Sequence, residues 1–282
     1  MNAEIPAELL EAAVRQNVEA ALAEDIGAGD VSAALIEANK AVHARVITRE
    51  SGVWCGSAWV EETLRRIAPA ATLVFSIQDG DRFSEDQTCF EIHGLARQLL
   101  TAERTMLNFA QLLSGTATLT RKYVDLIAHT RARLLDTRKT IPGLRVAQKY
   151  AVRCGGGVNH RLGLFDAFLL KENHIAAAGS ISQAVQHARA SRPGLRLEVE
   201  VETLTQLEEA IAARADIVML DNFGVTQTRD AVGLAQGRIV LESSGGISVT
   251  SITAYAETGV DYISVGNLTK QVEPLDLSMR FV

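Results

Sequence analysis

Between Asp136 and His174 the chain reads DTRKTIPGLRVAQKYAVRCGGGVNHRLGLFDAFLLKENH, with seven Lys or Arg against three acidic residues. The segment therefore carries a formal charge of +4 in a chain of net charge −6. A cationic island in an acidic protein focuses field on a small anionic ligand, whereas nucleic-acid binding is expected to leave a domain basic overall. Arg138 and Arg161 can each grip a planar carboxylate through two parallel hydrogen bonds. Lys171 reads two ways. It is a Schiff-base nucleophile if burial and neighbouring cations remove its charge, or a permanent cation for a carboxylate or phosphate. His160, next to Arg161 after the Gly155–Gly157 triplet, is balanced between a structural and a functional role.

Carboxylates supply the opposite sign. Glu200 and Asp221 end two successive apolar runs, where they can hold Mg²⁺ together with substrate phosphates or accept hydrogen bonds from sugar hydroxyls. In the EVEVE run, strand periodicity puts Glu198, Glu200 and Glu202 on one side. Three carboxylates there would be costly in a dry core, so a wet, cation-rich interior or an exposed face is required. The SSGG stretch before Val249–Glu257 reads as a phosphate cradle at a helix N-terminus, formed by Ser244, Gly245 and Gly246. The GNLTK stretch from Gly266 looks like its partner, since barrel phosphate sites are often built from the last two loops.

The elements that must position these groups follow from periodicity. Residues 7–24 have helical spacing, Ala41–Thr48 alternates as a strand, Ala58–Ile67 fits a helix, and Thr72–Ile77 and Thr88–Ile92 read as strands. From Leu95 to Ala128 the pattern is helical, in two pieces meeting near Ser114-Gly115. Arg104 within it reads as a solvated helix charge. Thereafter six apolar runs of strand length (132–135, 167–170, 195–201, 217–220, 239–241 and 262–265) alternate with helical patterns. That alternation means a parallel sheet covered on both faces. Charged residues and glycines cluster at the C-terminal ends of the runs, as in a (β/α) barrel whose strand ends converge on one mouth. Six units fall short of the usual eight, so the barrel is incomplete or a strand is hidden.

The 282 residues allow one large or two modest domains, and three cysteines without metal spacing argue against a disulfide framework. The N-terminal stretch lacks the basic and apolar regions of a secretory signal, and no apolar run reaches the length of a membrane span. The expectation is a cytoplasmic protein.

The motifs DTRKT-PGLR, KYAVRCGGGVNHR, LLKENH, EVEVE, DIVMLDN, LESSGGI and GVDYISVGNLTK, with AERTMLNF and EDIG-GD, resemble those of the quinolinate phosphoribosyltransferase family. The resemblance implies an N-terminal α+β open sandwich domain over 1–115 and an incomplete α/β barrel over 116–270, with the tail 271–282 returning to the first domain. A barrel of about seven strands would account for the short strand count. The implied reaction joins quinolinate to the phosphoribosyl group of phosphoribosyl pyrophosphate, with decarboxylation, giving nicotinate mononucleotide, pyrophosphate and CO₂. A paralogous phosphoribosyltransferase acting on another acid and a barrel lyase using Lys171 are the alternatives.

Carried over by position, Arg138, His160, Arg161 and Lys171 surround the pyridine dicarboxylate, Thr137 joins the substrate-binding set, and Lys139 and Lys171 match lysines near phosphoribosyl pyrophosphate. Glu200 and Asp221 serve its ribose hydroxyls and Mg²⁺. Ser244, Gly245 and Gly246, with Val265, Gly266 and Asn267, match the 5′-phosphate loops. Lys139, Lys171, Glu200 and Asp221 are the expected catalytic set. The resemblance also implies a homodimer with shared active sites, a higher assembly being left open. In it Arg104 comes from the partner, against its reading as a surface charge. One departure is Gly-Asn-Leu-Thr at 266–269, where the family more often has Gly-Ala-Leu-Thr.

Overall fold

The computed structural model describes residues 4–282. The chain forms two compact units. A sandwich unit contains Glu4–Arg121, Thr140–Gly156 and Asn267–Val282; a barrel unit contains Lys122–Lys139 and Gly157–Gly266. In chain order the first elements are α1 (Ala7–Ile26), β1 (Ala41–Thr48), β2 (Gly52–Val53), α2 (Ser57–Ile67) and β3 (Thr72–Phe75). Next come β4 (Arg82–Phe83), β5 (Thr88–Leu95), α3 (Ala96–Ile127), β6 (Arg133–Leu135) and α4 (Arg145–Cys154). Then follow β7 (Phe168–Leu170), α5 (Glu172–Ala178), α6 (Ile181–Ser191), β8 (Leu197–Val201), α7 (Leu204–Ala212) and β9 (Ile217–Asp221). The chain closes with α8 (Val225–Ala235), β10 (Val240–Ser244), α9 (Ile252–Ala256), β11 (Tyr262–Ser264), α10 (Asn267–Lys270) and β12 (Leu277–Phe281).

In the sandwich unit an antiparallel sheet runs β12-β1-β5-β3. Alternation sorts its side chains: Ala44, Val46, Phe90 and Ile92 are fully buried, while Arg45 and Glu91 pair on the other face. The buried face packs with Trp54, Leu99, Met106 and Leu107. A second cluster joins Val18 of α1, Trp59 of α2 and Leu113 of α3 to Ala147 and Ala151 of α4. The C-terminal β12 pairs with β1 from Thr48↔Leu277 to Ala44↔Phe281.

The barrel unit is a parallel sheet in the order β6-β11-β10-β9-β8-β7. The strands are apolar as both-face burial demands: Leu197, Val199, Val201, Val218 and Leu220 are all fully buried. The hidden strand is also visible. Val158 makes a single parallel bridge to Leu135, its N–H donating to Leu134 O (2.8 Å) and its carbonyl accepting from Asp136 N (3.2 Å). One residue thus stands where a seventh strand would run, flanked by glycines and a polar Asn-His-Arg triplet that cannot extend an apolar ladder.

Several expectations are corrected. The helix expected in two pieces is one continuous α3 of 32 residues. Gly115 does not break it. A Cβ there would come within 2.1 Å of the Glu273 carbonyl oxygen, so glycine serves a close approach of the C-terminal tail. The carboxylates of EVEVE do not share one strand face, because β8 ends at Val201 and Glu202 is exposed, its N–H held by Gln206 Oε1 (2.7 Å). Helix α5 was not anticipated; its alanine-rich sequence has no buried residue and so no apolar period. The basic island is divided, since Arg145, Lys149 and Arg153 lie on α4 in the sandwich unit.

Gly115→Ala should lower stability by ~1–3 kcal/mol, the range for forced overpacking. Urea unfolding followed by circular dichroism checks this; an unchanged midpoint would mean that the tail carbonyl yields without cost.

Candidate active site

Strand ends β6 to β10, with the segment after Val158, bring most of the sequence-expected residues to one cavity of about 360 Å³. Thr137, Arg138, Lys139, His160, Arg161, Lys171, Glu200, Asp221 and Ser244 all line it, with Leu169, Met219, Glu242 and Ser264. The volume is at the lower end of small-molecule sites, ~300–1,000 Å³. Gly245 and Val265 directly follow the lining residues Ser244 and Ser264, and Gly246 and Gly266 come next. Arg104 lies on α3 in the sandwich unit, donating to Glu103 Oε1 (3.1 Å), and Asn267 begins α10 in that unit.

Strand register builds the site in layers. Asp221 and Ser244 are level at the mouth. Glu200, Met219 and Glu242 are level one step below, and Glu198 sits opposite Ile217 one step deeper. Side chains two residues apart along a strand point to the same side, so Glu198 and Glu242 continue inward from Glu200 and Ser244. Counting back two residues from each mouth residue was the available signal for Glu242, whereas Leu169, Met219 and Ser264 resemble ordinary strand residues.

At the mouth the Lys171 ammonium is ion-paired with Glu200 Oε2. Burial raises the Glu200 carboxyl, the Lys171 ammonium opposes that shift, and Asp221 reinforces it. Two neighbouring carboxylates that repel one another, with oxygen-only donors, suit a Mg²⁺ ion whose remaining ligands are water and phosphate. Asp221 is oriented by Asn222 Nδ2, which donates to its Oδ2 (2.8 Å). Asn222 adopts φ 58° and its N–H donates to Ser244 O (2.9 Å). Gly245 has φ 104°, and a Cβ on it would fall 2.2 Å from Asn222 Oδ1. The Ser244-Gly245 turn therefore rests directly on the β9 end. It does not open a helix, as the sequence suggested: α9 starts at Ile252 and is five residues long. Any phosphate binding by this loop relies on its own N–H groups. On the facing loop, a Cβ at Gly266 would lie 3.0 Å from Lys139 Cδ, so the glycine leaves room for the lysine.

The cationic wall is Arg138 and Arg161. Burial lowers the Arg161 guanidinium, and the nearby Arg138 charge lowers it further. Arg161 Nη1 donates to Ala167 O (3.3 Å), while Arg138 Nε is buried without a hydrogen-bond partner. Two like charges held together with a donor to spare form a receptor for a multiply charged anion.

Below them, buried Asp136 accepts from His160 N (2.8 Å) and Asn159 Nδ2 (2.7 Å). The Arg161 N–H donates to His160 Nδ1 (2.7 Å). His160 Nε2 stands 2.9 Å from Glu198 Oε2 and 3.5 Å from Glu242 Oε2. The His160 ring lines the cavity, yet both nitrogens face protein groups. Burial pushes Glu198 up to about 7; burial and then the Glu198 charge push Glu242 up to about 8.

Residues 116–280 match the family model for the C-terminal domain of quinolinate phosphoribosyl transferase, and residues 30–114 match that for its N-terminal domain. A nicotinate-nucleotide pyrophosphorylase [carboxylating] of Mycobacterium leprae is 44% identical over 274 residues, 95% of this chain and 96% of that protein. A probable enzyme of the same name from Bacillus subtilis is 43% identical over 257 residues, covering 91% of this chain and 89% of the relative. The solved structure of the nicotinate-nucleotide pyrophosphorylase from Francisella tularensis superposes with a TM-score of 0.95 at 48% identity, covering 99% of this chain and 98% of that one.

Glu242 makes stability depend on pH. The folded chain holds its proton up to about 8, whereas the unfolded chain releases it near the ordinary 4.5. Between these values the unfolded state binds fewer protons, so stability must fall as pH rises. Urea unfolding from pH 5 to 8 should show Glu242→Gln gaining stability relative to wild type as pH increases. Parallel curves would refute the shift.

Proposed function

Because the chain belongs to the quinolinate phosphoribosyltransferase family, we infer that it transfers the phosphoribosyl group of phosphoribosyl pyrophosphate to quinolinate with decarboxylation. The products are nicotinate mononucleotide, pyrophosphate and CO₂, and the reaction belongs to de novo NAD biosynthesis. The observation that carries the reading is the pair of adjacent guanidinium groups, Arg138 with a bare buried Nε and Arg161 lowered by burial and then by its neighbour's charge. A pyridine dicarboxylate offers two planar anions to such a pair.

The site chemistry follows from these groups. Arg138 and Arg161 bind and orient the dianion so that its ring nitrogen faces C1 of the sugar, replacing a bimolecular encounter with a positioned one. Lys139 faces the leaving pyrophosphate and offsets the charge that builds there. The carboxylates of Glu200 and Asp221 accept from ribose hydroxyls and support an oxocarbenium-like sugar. These two residues would also hold Mg²⁺, which when bound neutralises phosphate charge. Once the ring nitrogen is quaternised it stabilises the electron pair left by departing CO₂, so no covalent enzyme intermediate is needed. Lys171 acts as a cation: its pairing with Glu200 suits a permanent charge rather than the free amine of a Schiff-base lyase.

The working form we propose is a cytoplasmic homodimer in which Arg104 reaches the partner's site. Leu164 and Phe165, each 74% exposed on the segment after Arg161, leave apolar surface for a partner to cover. No helix among the described residues is long and apolar enough to cross a membrane.

Incubation with quinolinate, phosphoribosyl pyrophosphate and Mg²⁺ should release CO₂ and nicotinate mononucleotide; binding of quinolinate without pyrophosphate release would overturn the assignment. Arg138→Ala should lose about 2–5 kcal/mol of transition-state stabilisation in kcat/KM, and activity within about twofold of wild type would remove Arg138 from the site. Arg104→Ala and Lys139→Ala proteins, each inactive alone, should recover part of the activity when mixed. Demonstrated heterodimers without recovery would argue against a shared site.

A further inference from the structure

Around His160 lies a group of carboxyls to which the proposed reaction assigns no step, although Glu242 and His160 both line the cavity. Glu198 and Glu242 are 3% and 0% exposed, come from strands β8 and β10 on either side of β9, and converge on the same atom, His160 Nε2. The opposite ring nitrogen, Nδ1, accepts the Arg161 backbone N–H at 2.7 Å, so it is the nitrogen without a proton. The proton then resides on Nε2, which lies 2.9 Å from Glu198 Oε2 and 3.5 Å from Glu242 Oε2 without a well-aligned hydrogen bond to either. The His160 backbone N–H is anchored on Asp136 Oδ1 at 2.8 Å. Imidazole and peptide are thus fixed from opposite sides, and the next residue along is Arg161. With both nitrogens facing protein, the ring is poorly placed to shuttle protons to a ligand.

We propose that Glu198 and Glu242 are positioning residues that, through the His160 ring, hold the Arg161 guanidinium where it meets one carboxylate of the pyridine substrate. The need for such a device follows from the fold. Arg161 leaves the sheet three residues after Val158, the single residue that bridges to β6, so no strand ladder holds it. Its guanidinium stands beside the like-charged Arg138, which repels it. Its side chain has holds of its own, Nη1 donating to Ala167 O (3.3 Å) and the Glu198 and Asp166 charges attracting it; the backbone tie at His160 Nδ1 sets the position from which the guanidinium reaches. Carboxyl groups from two different strands within 3.5 Å of Nε2 restrict rotation of the ring more than one would, through close polar contact rather than aligned hydrogen bonds. The pair also selects the tautomer: an Nδ1–H ring would turn a donor towards the Arg161 N–H and break the link.

The proposal rests on the assignment of Arg161 to the substrate carboxylate, and the experiment separates the two. Steady-state kinetics would be measured on Glu198→Ala, Glu242→Ala and Arg161→Ala, and on the double variant Glu198→Ala/Arg161→Ala. The alanine carboxylate variants should raise KM for quinolinate about tenfold or more while KM for phosphoribosyl pyrophosphate stays within about twofold, because only Arg161 is displaced. In the Arg161→Ala background, Glu198→Ala should add less than about twofold, the non-additivity expected of residues acting in series. Glu198→Gln, which keeps an Oε1 acceptor for Nε2–H, should restore most of the quinolinate KM lost in Glu198→Ala. Equal rises in both KM values, or an undiminished Glu198→Ala effect without Arg161, would overturn the proposal. An Arg161→Ala protein with normal quinolinate KM would instead refute the Arg161 assignment itself. Should the alanine variants fail to fold, the long-range ¹⁵N–¹H spectrum of the His160 ring in the wild-type protein decides. A proton on Nε2 alone is expected; an Nδ1–H or doubly protonated ring would overturn the proposal.

Discussion

Repulsion between two neighbouring cations, Arg161 buried and Arg138 half-buried, is the constraint from which the barrel end is built. Arg138 and Arg161 stand close enough for one charge to depress the other, and Arg138 keeps an unsatisfied buried donor. An uncompensated buried charge costs several kcal/mol, so such a wall persists only if its surroundings are tightly held and acidic groups lie close by. The counter-charges are layered. Glu200 pairs with Lys171, Glu242 lies level with Glu200, and Glu198 lies one step deeper, the last two beside His160 Nε2. Lys171, its side chain 44% exposed, can exchange partners when a substrate arrives, whereas Glu200 is largely buried. Glu198 and Glu242 are 3% and 0% exposed, and burial raises the proton affinity of both.

That layering explains the unusual composition of the strands. A parallel barrel normally fills its interior with branched apolar residues. Here β8 alternates Glu198 and Glu200 with the fully buried Val199 and Val201, and β10 carries Glu242 and Ser244 inward. One face of each strand supports the helices while the other supplies charge. The glycines of the neighbouring turns serve the same geometry at close range: Gly245 seats its turn on Asn222, and Gly266 clears a path for Lys139.

Much of this was legible in the sequence because both periodicity and punctuation were strong. Six apolar runs gave six strands within one to three residues of their ends, and the charged residues after them converge as a barrel requires. What stayed hidden has physical reasons. Gly115 reads as a break because a glycine chosen for tertiary contact looks the same as one chosen for flexibility. Helix α5 buries no residue and therefore has no period to detect. The basic island looked like one surface because linear charge density says nothing about which fold unit a helix joins, and α4 joins the sandwich unit. The inward carboxylates were visible as residue types, but the ring that joins them lies some forty residues away from Glu198 and twice that from Glu242.

The lone bridge at Val158 has a further consequence. An ordinary strand owes its shape to a ladder, in which each residue is supported by the next and no single bond is decisive. Residues 159–166 form no strand ladder and rely on side-chain bonds. Asp136 holds the first part, and Asp166 holds the second by accepting the N–H groups of Leu162 (2.6 Å) and Gly163 (3.0 Å). The segment is pinned at two carboxylates like a cable between posts. Its course is therefore indifferent to the β-propensity of the residues between the posts and acutely dependent on the posts themselves and on the side chains that tie to the backbone, the Asn159 amide on Asp136 and the His160 ring on the Arg161 N–H.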